Sequence, residues 1–151
     1  MIKIMFVCLG NICRSPMAEF LMKDYVLKNG KEKDFYISSS ATSTYEIGSP
    51  VHYGTKKILD RLNIDCSKKR AVQLTKSDYE NYNLFIGMDD RNVSSMLRIF
   101  GGDKDNKVKL LLDYSPNSRN VLDPYYTGDF DSTYNDIIEG IKYLYKSLIQ
   151  S

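Results

Sequence analysis

The chain is poor in the residues from which many catalytic and metal sites are made. Of its 151 residues, one is a histidine, His52, and three are cysteines. A single histidine leaves Ser-His and Cys-His catalysis without a ready base. Cys8 and Cys13 could be half of a zinc site, but Cys66 and His52 form no recognisable second half, so no metal and no other cofactor is expected. Three cysteines cannot all pair with one another, and the chain does not read as a secreted disulfide scaffold. No apolar stretch approaches the length of a membrane span, and the N-terminal apolar run lacks a basic flank and a cleavage site. A cytoplasmic protein with no membrane partner is therefore expected. An excess of one charge is missing too: 21 basic residues face 19 acidic ones, a net charge of +2. That balance does not point to nucleic acid. Lys68-Lys69-Arg70 is a local basic cluster, read first as a solvated turn and second as steering for an anionic substrate. His52, just after Ser49-Pro50, reads as a surface residue of a first helical turn.

Hydrophobic residues make up 42% and charged residues 26% of the chain, enough apolar material for one compact core. Apolar β-like runs recur at 2–7, 35–38, 84–87 and 108–112. Helical spacing lies between and after them. Met17, Phe20, Leu21 and Tyr25 share a face after Pro16, as do Val51, Ile58, Leu59 and Leu62 after Pro50. Val93, Met96, Leu97 and Phe100 do so after Asp89-Asp90. The strongest pattern runs from Tyr134 through Ile137, Ile138, Ile141, Leu144 and Tyr145 to Leu148. The Ser-rich stretch 38–44 and the segment 101–107 read as loops. Alternating strands and helices predict a single-domain α/β fold, an open parallel four-stranded sheet with helices on both faces.

Open α/β sheets bind ligands at the carboxyl ends of their strands, and Cys8 ends the first run. The segment Val7-Cys8-Leu9-Gly10-Asn11-Ile12-Cys13-Arg14-Ser15-Pro16 thus places a short loop between a strand and a helix N-terminus. Such a loop can turn successive backbone N–H groups inward as a nest for an anion, and the helix dipole adds positive potential. Arg14 brings a planar, permanently charged fork that can grip two phosphate oxygens. The same field favours the thiolate of Cys8, the form that attacks. Gly10 and Asn11 are residue types that tolerate positive φ, which a loop curling around an anion requires. Ser15-Pro16 also suits an ordinary N-cap and first helical position, and Asn11 an ordinary turn. Their joint occurrence around Cys8 and Arg14 favours phosphate chemistry.

The longer string Val7 to Glu19, Val-Cys-Leu-Gly-Asn-Ile-Cys-Arg-Ser-Pro-Met-Ala-Glu, closely resembles the signature of low-molecular-weight protein tyrosine phosphatases. The resemblance continues through Arg70-Ala71-Val72-Gln73-Leu74-Thr75, Met88-Asp89 with Asn92, and Asp123-Pro124-Tyr125-Tyr126, so it covers residues 1–151 as one domain of that fold. It implies a protein tyrosine phosphatase that hydrolyses phosphotyrosine through a phosphocysteine on Cys8, with Arg14 binding phosphate. It makes Asp123 the general acid and base, Asp-Pro alone marking only a turn. It also implies that Ser15 hydrogen-bonds the Cys8 sulfur and that Asn11 braces the loop. Leu9, Gly10, Asn11, Ile12, Cys13 and Ser15 form the phosphate cradle, and Tyr45 and Tyr126 match the aromatic walls for the substrate ring, where ordinary loop packing is the alternative. The segment Thr44-Tyr45-Glu46-Ile47-Gly48 departs from the commoner Trp-containing versions, and Lys69 stands where many members carry a histidine bonded to the loop asparagine. If Lys69 takes that place, the Asn11 network is braced differently.

Phosphotyrosine reaches deeper than phosphoserine, so a deep cleft selects it. Cys13 resembles the second loop cysteine that in some members forms a reversible disulfide with the nucleophile, an arrangement expected to be peroxide-sensitive. Two other reactions run on the same fold. Arsenate reductases use a later pair of cysteines, and here only Cys66 lies beyond the loop. Protein-arginine phosphatases carry threonine at the place of Ile12, and the isoleucine favours phosphotyrosine. A phosphopeptide-binding module would leave Cys8, Arg14 and Asp123 without a purpose. The partners expected are phosphotyrosine-containing proteins, met by a monomer or at most a weak homodimer.

Overall fold

Ile4 to Cys8 are all buried, as a strand must be when helices cover both of its faces. In a computed structural model, which describes residues 1–150, that strand is β1 (Ile2–Cys8). It is followed by α1 (Arg14–Lys28), β2 (Phe35–Ala41), α2 (Tyr53–Arg61), β3 (Leu84–Gly87) and α3 (Asp90–Phe100). Then come β4 (Val108–Leu110), α4 (Pro124–Thr127) and α5 (Phe130–Ile149), with single 3₁₀ turns at Glu32–Asp34, Lys76–Asn81 and Leu111–Tyr114. Among the described residues the four strands form one parallel sheet in the order β2-β1-β3-β4.

Alternate residues of β1 feed two cores. Ile4, Phe6 and Cys8 pack with α1, α2 and α5, where Leu59, Ile137, Ile141 and Leu144 are fully buried or nearly so. Met5 and Val7 face the other way, toward Met96 and Phe100 of α3 and Tyr79 of the 76–81 turn. Burying a side chain such as Phe6 or Ile4 contributes about 1.5–3 kcal/mol. The register sets Cys8 opposite Ala41 and Val7 opposite Gly87, so three strands end together and the loop after Cys8 opens at the sheet's carboxyl edge.

Four local expectations need correction. The second strand runs on to Ala41, through the first half of the stretch read as a loop. Ser39 and Ser40 are buried there because β1 pairs with them, whatever their own propensity. The run 108–112 stops as a strand at Leu110, and Leu111 and Leu112 turn inward beneath α5. A Cβ at Gly140 would collide with the Leu111 side chain, so this mid-helix glycine is set by packing. Helix α1 begins at Arg14 with Cys13 as its N-cap, so Ser15 and Pro16 lie inside the first turn and Ser15 does not cap. Finally, His52 lies outside α2: it is the half-buried N-cap, its Nδ1 accepting the Gly54 N–H at 3.1 Å.

Candidate active site

The chain between β1 and α1 turns back on itself at Asn11, whose φ is +57°. Gly10 has no such φ, and a Cβ there would meet only ordinary contacts, 3.6 Å to Glu46 Cγ being the nearest. The turn therefore needs Asn11, and the reading of Gly10 as a positive-φ residue is corrected. The Asn11 side chain explains why asparagine serves there. Nδ2 donates to Ser15 Oγ (2.8 Å) and Ser39 Oγ (2.9 Å), while Oδ1 accepts the Val72 N–H at 3.1 Å. Ser15 Oγ then lies 3.0 Å from Cys8 Sγ, and the Ser15 N–H is 3.4 Å from the same sulfur. Because Ser15 Oγ already accepts from Asn11, its own hydrogen is available to the sulfur. Asn11 and Ser15 are thus buried behind the loop, and their side chains do not line the cleft.

The bracing continues inward. Ser39 Oγ donates to Glu19 Oε1 at 2.6 Å, Lys23 donates to Glu19 Oε2 at 2.6 Å, and Lys69 Nζ sits 3.6 Å from Oε1. Lys69 also donates to the Ser39 carbonyl at 2.8 Å. It does not touch Asn11; it holds the serine and the carboxylate behind it. Burial pulls the Lys69 pKa down, with the Glu19 carboxylate opposing. Of the basic cluster read as a solvated turn, Lys68 and Arg70 are exposed, but Lys69 is not. A second set of contacts grips the loop from α2: the His52 N–H donates to the Ile12 carbonyl (2.9 Å) and Thr55 Oγ1 to the Cys13 carbonyl (3.0 Å).

Arg14 is buried, and its Nη1 donates to Asp89 Oδ2 (2.7 Å) and to the Val121 carbonyl (2.8 Å). Its Nη2 faces Asp123 Oδ2 at 3.4 Å. Burial works against the guanidinium charge, but Cys8, Asp89 and Asp123 outweigh it and push its pKa up. Asp89 serves two elements: Oδ2 holds Arg14, while Oδ1 accepts the Asn92 N–H and caps α3. Asp123 caps the short α4, its Oδ1 accepting the Tyr125 N–H at 3.1 Å. The loop that carries it is tied by Val121 N–H to the Met88 carbonyl (2.9 Å) and by Thr133 Oγ1 to the Leu122 carbonyl (3.2 Å).

These elements enclose a cleft of about 190 Å³. Cys8, Leu9, Gly10, Ile12, Cys13 and Arg14 form its base, Tyr45 and Glu46 one wall, and Asp123, Tyr125 and Tyr126 the other. The expected residues Cys8, Arg14, Asp123, Tyr45 and Tyr126 therefore meet in one place, with the two tyrosines largely exposed at the mouth. Burial foremost, then the charges of Cys8 and Asp123, pushes the Cys13 thiol well up, against the opposing pull of Arg14. Sequence reasoning did not assign Glu46 or Tyr125 to the walls, or Asp89, Glu19, Ser39 and Val72 to the support. Glu46 and Tyr125 adjoin assigned tyrosines, and Asp89 stands just ahead of the helical pattern of Val93, Met96, Leu97 and Phe100. Glu19 closes the string that resembles the family signature and Ser39 lies in the Ser-rich stretch, but neither position signals a bracing role, which exists only across three elements. Among the described residues no three His, Cys, Asp or Glu side chains are grouped so that they could hold a metal ion.

A loop with a sulfur at its base, a buried guanidinium and a carboxyl group in one cleft is suited to a phosphate monoester. Known proteins agree. The family model for low molecular weight phosphotyrosine protein phosphatases matches residues 3–151. The chain is 39% identical over 150 residues to the low molecular weight protein-tyrosine-phosphatase YfkJ of Bacillus subtilis, covering 98% of this chain and 96% of that one. The crystal structure of YfkJ superposes with a TM-score of 0.95 at 38% identity, over 99% of this chain and 96% of the other. The low molecular weight protein tyrosine phosphatase SP-PTP from Streptococcus pyogenes gives a TM-score of 0.88 at 39% identity, over 98% and 93% of the two chains. A low molecular weight phosphotyrosine protein phosphatase from Gallus gallus is 37% identical over 144 residues, 92% of this chain and 90% of its own. With the match running along nearly the whole chain, the protein belongs to the low molecular weight phosphotyrosine protein phosphatase family.

Proposed function

We propose that this phosphatase hydrolyses phosphotyrosine in proteins by two displacements at phosphorus. The observation that carries the reading is the approach of Arg14 to Asp123 across a cleft with Cys8 at its base. In the first step Cys8 Sγ attacks phosphorus, the S–P bond forms and the bond to the phenolic oxygen breaks. Asp123, protonated, gives its proton to that oxygen. In the second step water attacks phosphorus, its proton passes to the Asp123 carboxylate, and the thiolate leaves as phosphate is released. The substrate dianion would take over Nη2 of Arg14, freeing Asp123 to face the leaving oxygen. Leu9, Gly10, Ile12 and Cys13 contribute loop surface to the phosphate, Asn11 and Ser15 hold the loop from behind, and Tyr45 and Tyr126, with Tyr125, flank the ring.

Removing the acid tests the assignment. In Asp123→Asn, kcat/KM, which reports the first displacement alone, falls by about 10²–10³-fold on phosphotyrosine and by much less on an ester with an acidic leaving group such as 2,4-dinitrophenyl phosphate. Equal losses on both substrates would remove Asp123 from the acid role. A parallel assay of phosphotyrosine, phosphoserine, phosphoarginine and arsenate with a thiol reductant tests the substrate class. Hydrolysis of phosphoarginine in preference to phosphotyrosine, or thiol-dependent arsenate reduction, would replace it.

The same reading extends to redox control. Hydrogen peroxide transfers one oxygen to the Cys8 thiolate, giving a sulfenic acid and hydroxide, and the Cys13 thiol then attacks that sulfur, expelling water and forming a disulfide that two reductant thiols reopen. Both sulfurs are buried at the base of one cleft, and Cys13 is held as the thiol. Peroxide-inactivated wild type is expected to regain most activity in dithiothreitol, and Cys13→Ser only a small fraction; equal recovery would exclude the disulfide. The setting proposed is the cytoplasm, the protein acting as a monomer or weak homodimer on phosphoproteins, without nucleic acid or membrane. Among the described residues no helix is long and apolar enough to cross a membrane.

A further inference from the structure

The N-terminus of α2 touches both halves of the cleft. Its His52 N–H holds Ile12 and its Thr55 hydroxyl holds Cys13, both in the phosphate loop. On the other side the His52 ring forms the centre of an aromatic stack. It lies on Phe130 at 5.1 Å with an interplanar angle of 17°, on Tyr53 at 4.9 Å and 26°, and edge to face with Tyr125 at 6.0 Å and 74°. Phe130 opens α5, directly after the loop that carries Asp123, and Tyr125 is bonded to the Asp123 carboxylate through its N–H. Gly54 makes the approach feasible, since a Cβ there would lie 2.5 Å from Phe130 Cζ. The histidine backbone is thus fixed to the loop that binds phosphate, and its ring is fixed to the loop that carries the acid.

We propose that His52 is a positioning residue that sets the Asp123 loop at its distance from the phosphate loop. Its two side-chain jobs are separable. The Nδ1 cap stabilises α2, whereas the ring stacks on Phe130 and meets Tyr125 edge to face. The inference rests on Asp123 being the acid. If the ring positions that acid, losing the stack slows the first displacement for a leaving group that needs a proton and spares it for one that does not.

His52→Asn keeps a capping side chain and removes the ring; His52→Phe keeps a ring and removes the cap. For His52→Asn, kcat/KM on phenyl phosphate is expected to fall about tenfold, while kcat/KM on 2,4-dinitrophenyl phosphate stays within about twofold. His52→Phe is expected to melt at a lower temperature yet recover most of the phenyl phosphate rate. Phe130→Leu, which removes the other side of the stack, reproduces the His52→Asn pattern and serves if that variant does not fold. A parental leaving-group dependence in His52→Asn and Phe130→Leu overturns the proposal, as does an equal loss in His52→Asn and His52→Phe. Asp123→Asn in the same assay separates the two claims: if it too lacks the leaving-group effect, the acid assignment has failed; if it shows the effect and the stack variants do not, only the His52 role has.

Discussion

Cys8→Ser is expected to lower phosphotyrosine turnover by more than about 10⁴-fold while leaving inorganic phosphate bound within a few-fold of its parental affinity. Sulfur and oxygen differ here in one decisive way: a thiol readily yields its attacking anion near neutral pH, and a serine hydroxyl needs a base to remove its proton. None is at hand. The Cys8 sulfur is surrounded by donors, Ser15 Oγ at 3.0 Å and the Ser15 N–H at 3.4 Å, which stabilise an anion but remove no proton. Asp89 is already engaged by Arg14 and by the α3 cap. The one histidine of the chain is turned to Gly54 and Phe130. The binding groups are untouched by the substitution, because the loop is held by Asn11, Thr55 and the Glu19–Ser39 pair and not by the sulfur. Mass spectrometry after acid quench adds a second readout: wild type carries a phosphoryl adduct on Cys8 during turnover, and the variant carries none. Turnover within about a hundredfold of wild type would mean that the nucleophile is something other than Cys8.

What could be read from the residues alone divides along a physical line. Features made by a contiguous segment were visible, since propensity and spacing act locally. The strand ending at Cys8, the helix of Ile137, Ile141 and Leu144, and the loop with Arg14 at its end all fall in this class. Features made by polar partners from distant segments were not. Ser39 looks like a loop residue because serine is a weak strand former, and it becomes a strand residue only when β1 pairs with it and Glu19 accepts its hydroxyl. Lys69 looks like one of three solvated cations until its neighbour across the fold proves to be a nearly buried carboxylate. Ser15 illustrates both: its identity suggested a cap, but the helix starts one residue earlier and its hydroxyl is used by Asn11 and Cys8. His52 shows the converse. Its place near a helix start was legible, whereas its ring contacts depend on Phe130 arriving from the far end of the chain.

The second large effect concerns geometry at fixed charge. Arg14→Lys is expected to lower kcat/KM by about 10³-fold, most of it in kcat, although the positive charge is retained. In the native chain one guanidinium does two things at once. Nη1 is committed to Asp89 and to the Val121 carbonyl, which fixes the group and ties it to the loop of Asp123, and Nη2 is left facing Asp123 in the cleft. A lysine has a single nitrogen. If it keeps Asp89 it does not reach the phosphate with a second donor, and if it reaches the phosphate it leaves Asp89 and the Val121 carbonyl without their partner. The loss falls on kcat because charge shifts among the phosphoryl oxygens as the S–P bond forms, and a rigid fork follows that shift where a point charge does not. Arg14→Ala goes further: the buried Val121 carbonyl and the half-buried Asp89 carboxylate both lose their donor, so a stability loss of about 1–3 kcal/mol should accompany a rate loss larger than that of the lysine variant. Steady-state kinetics on one aryl phosphate, together with thermal melts of the three proteins, separates the two contributions. If Arg14→Lys retained kcat/KM within about tenfold of wild type, charge alone would suffice, and the two-sided engagement of the guanidinium would have no catalytic part.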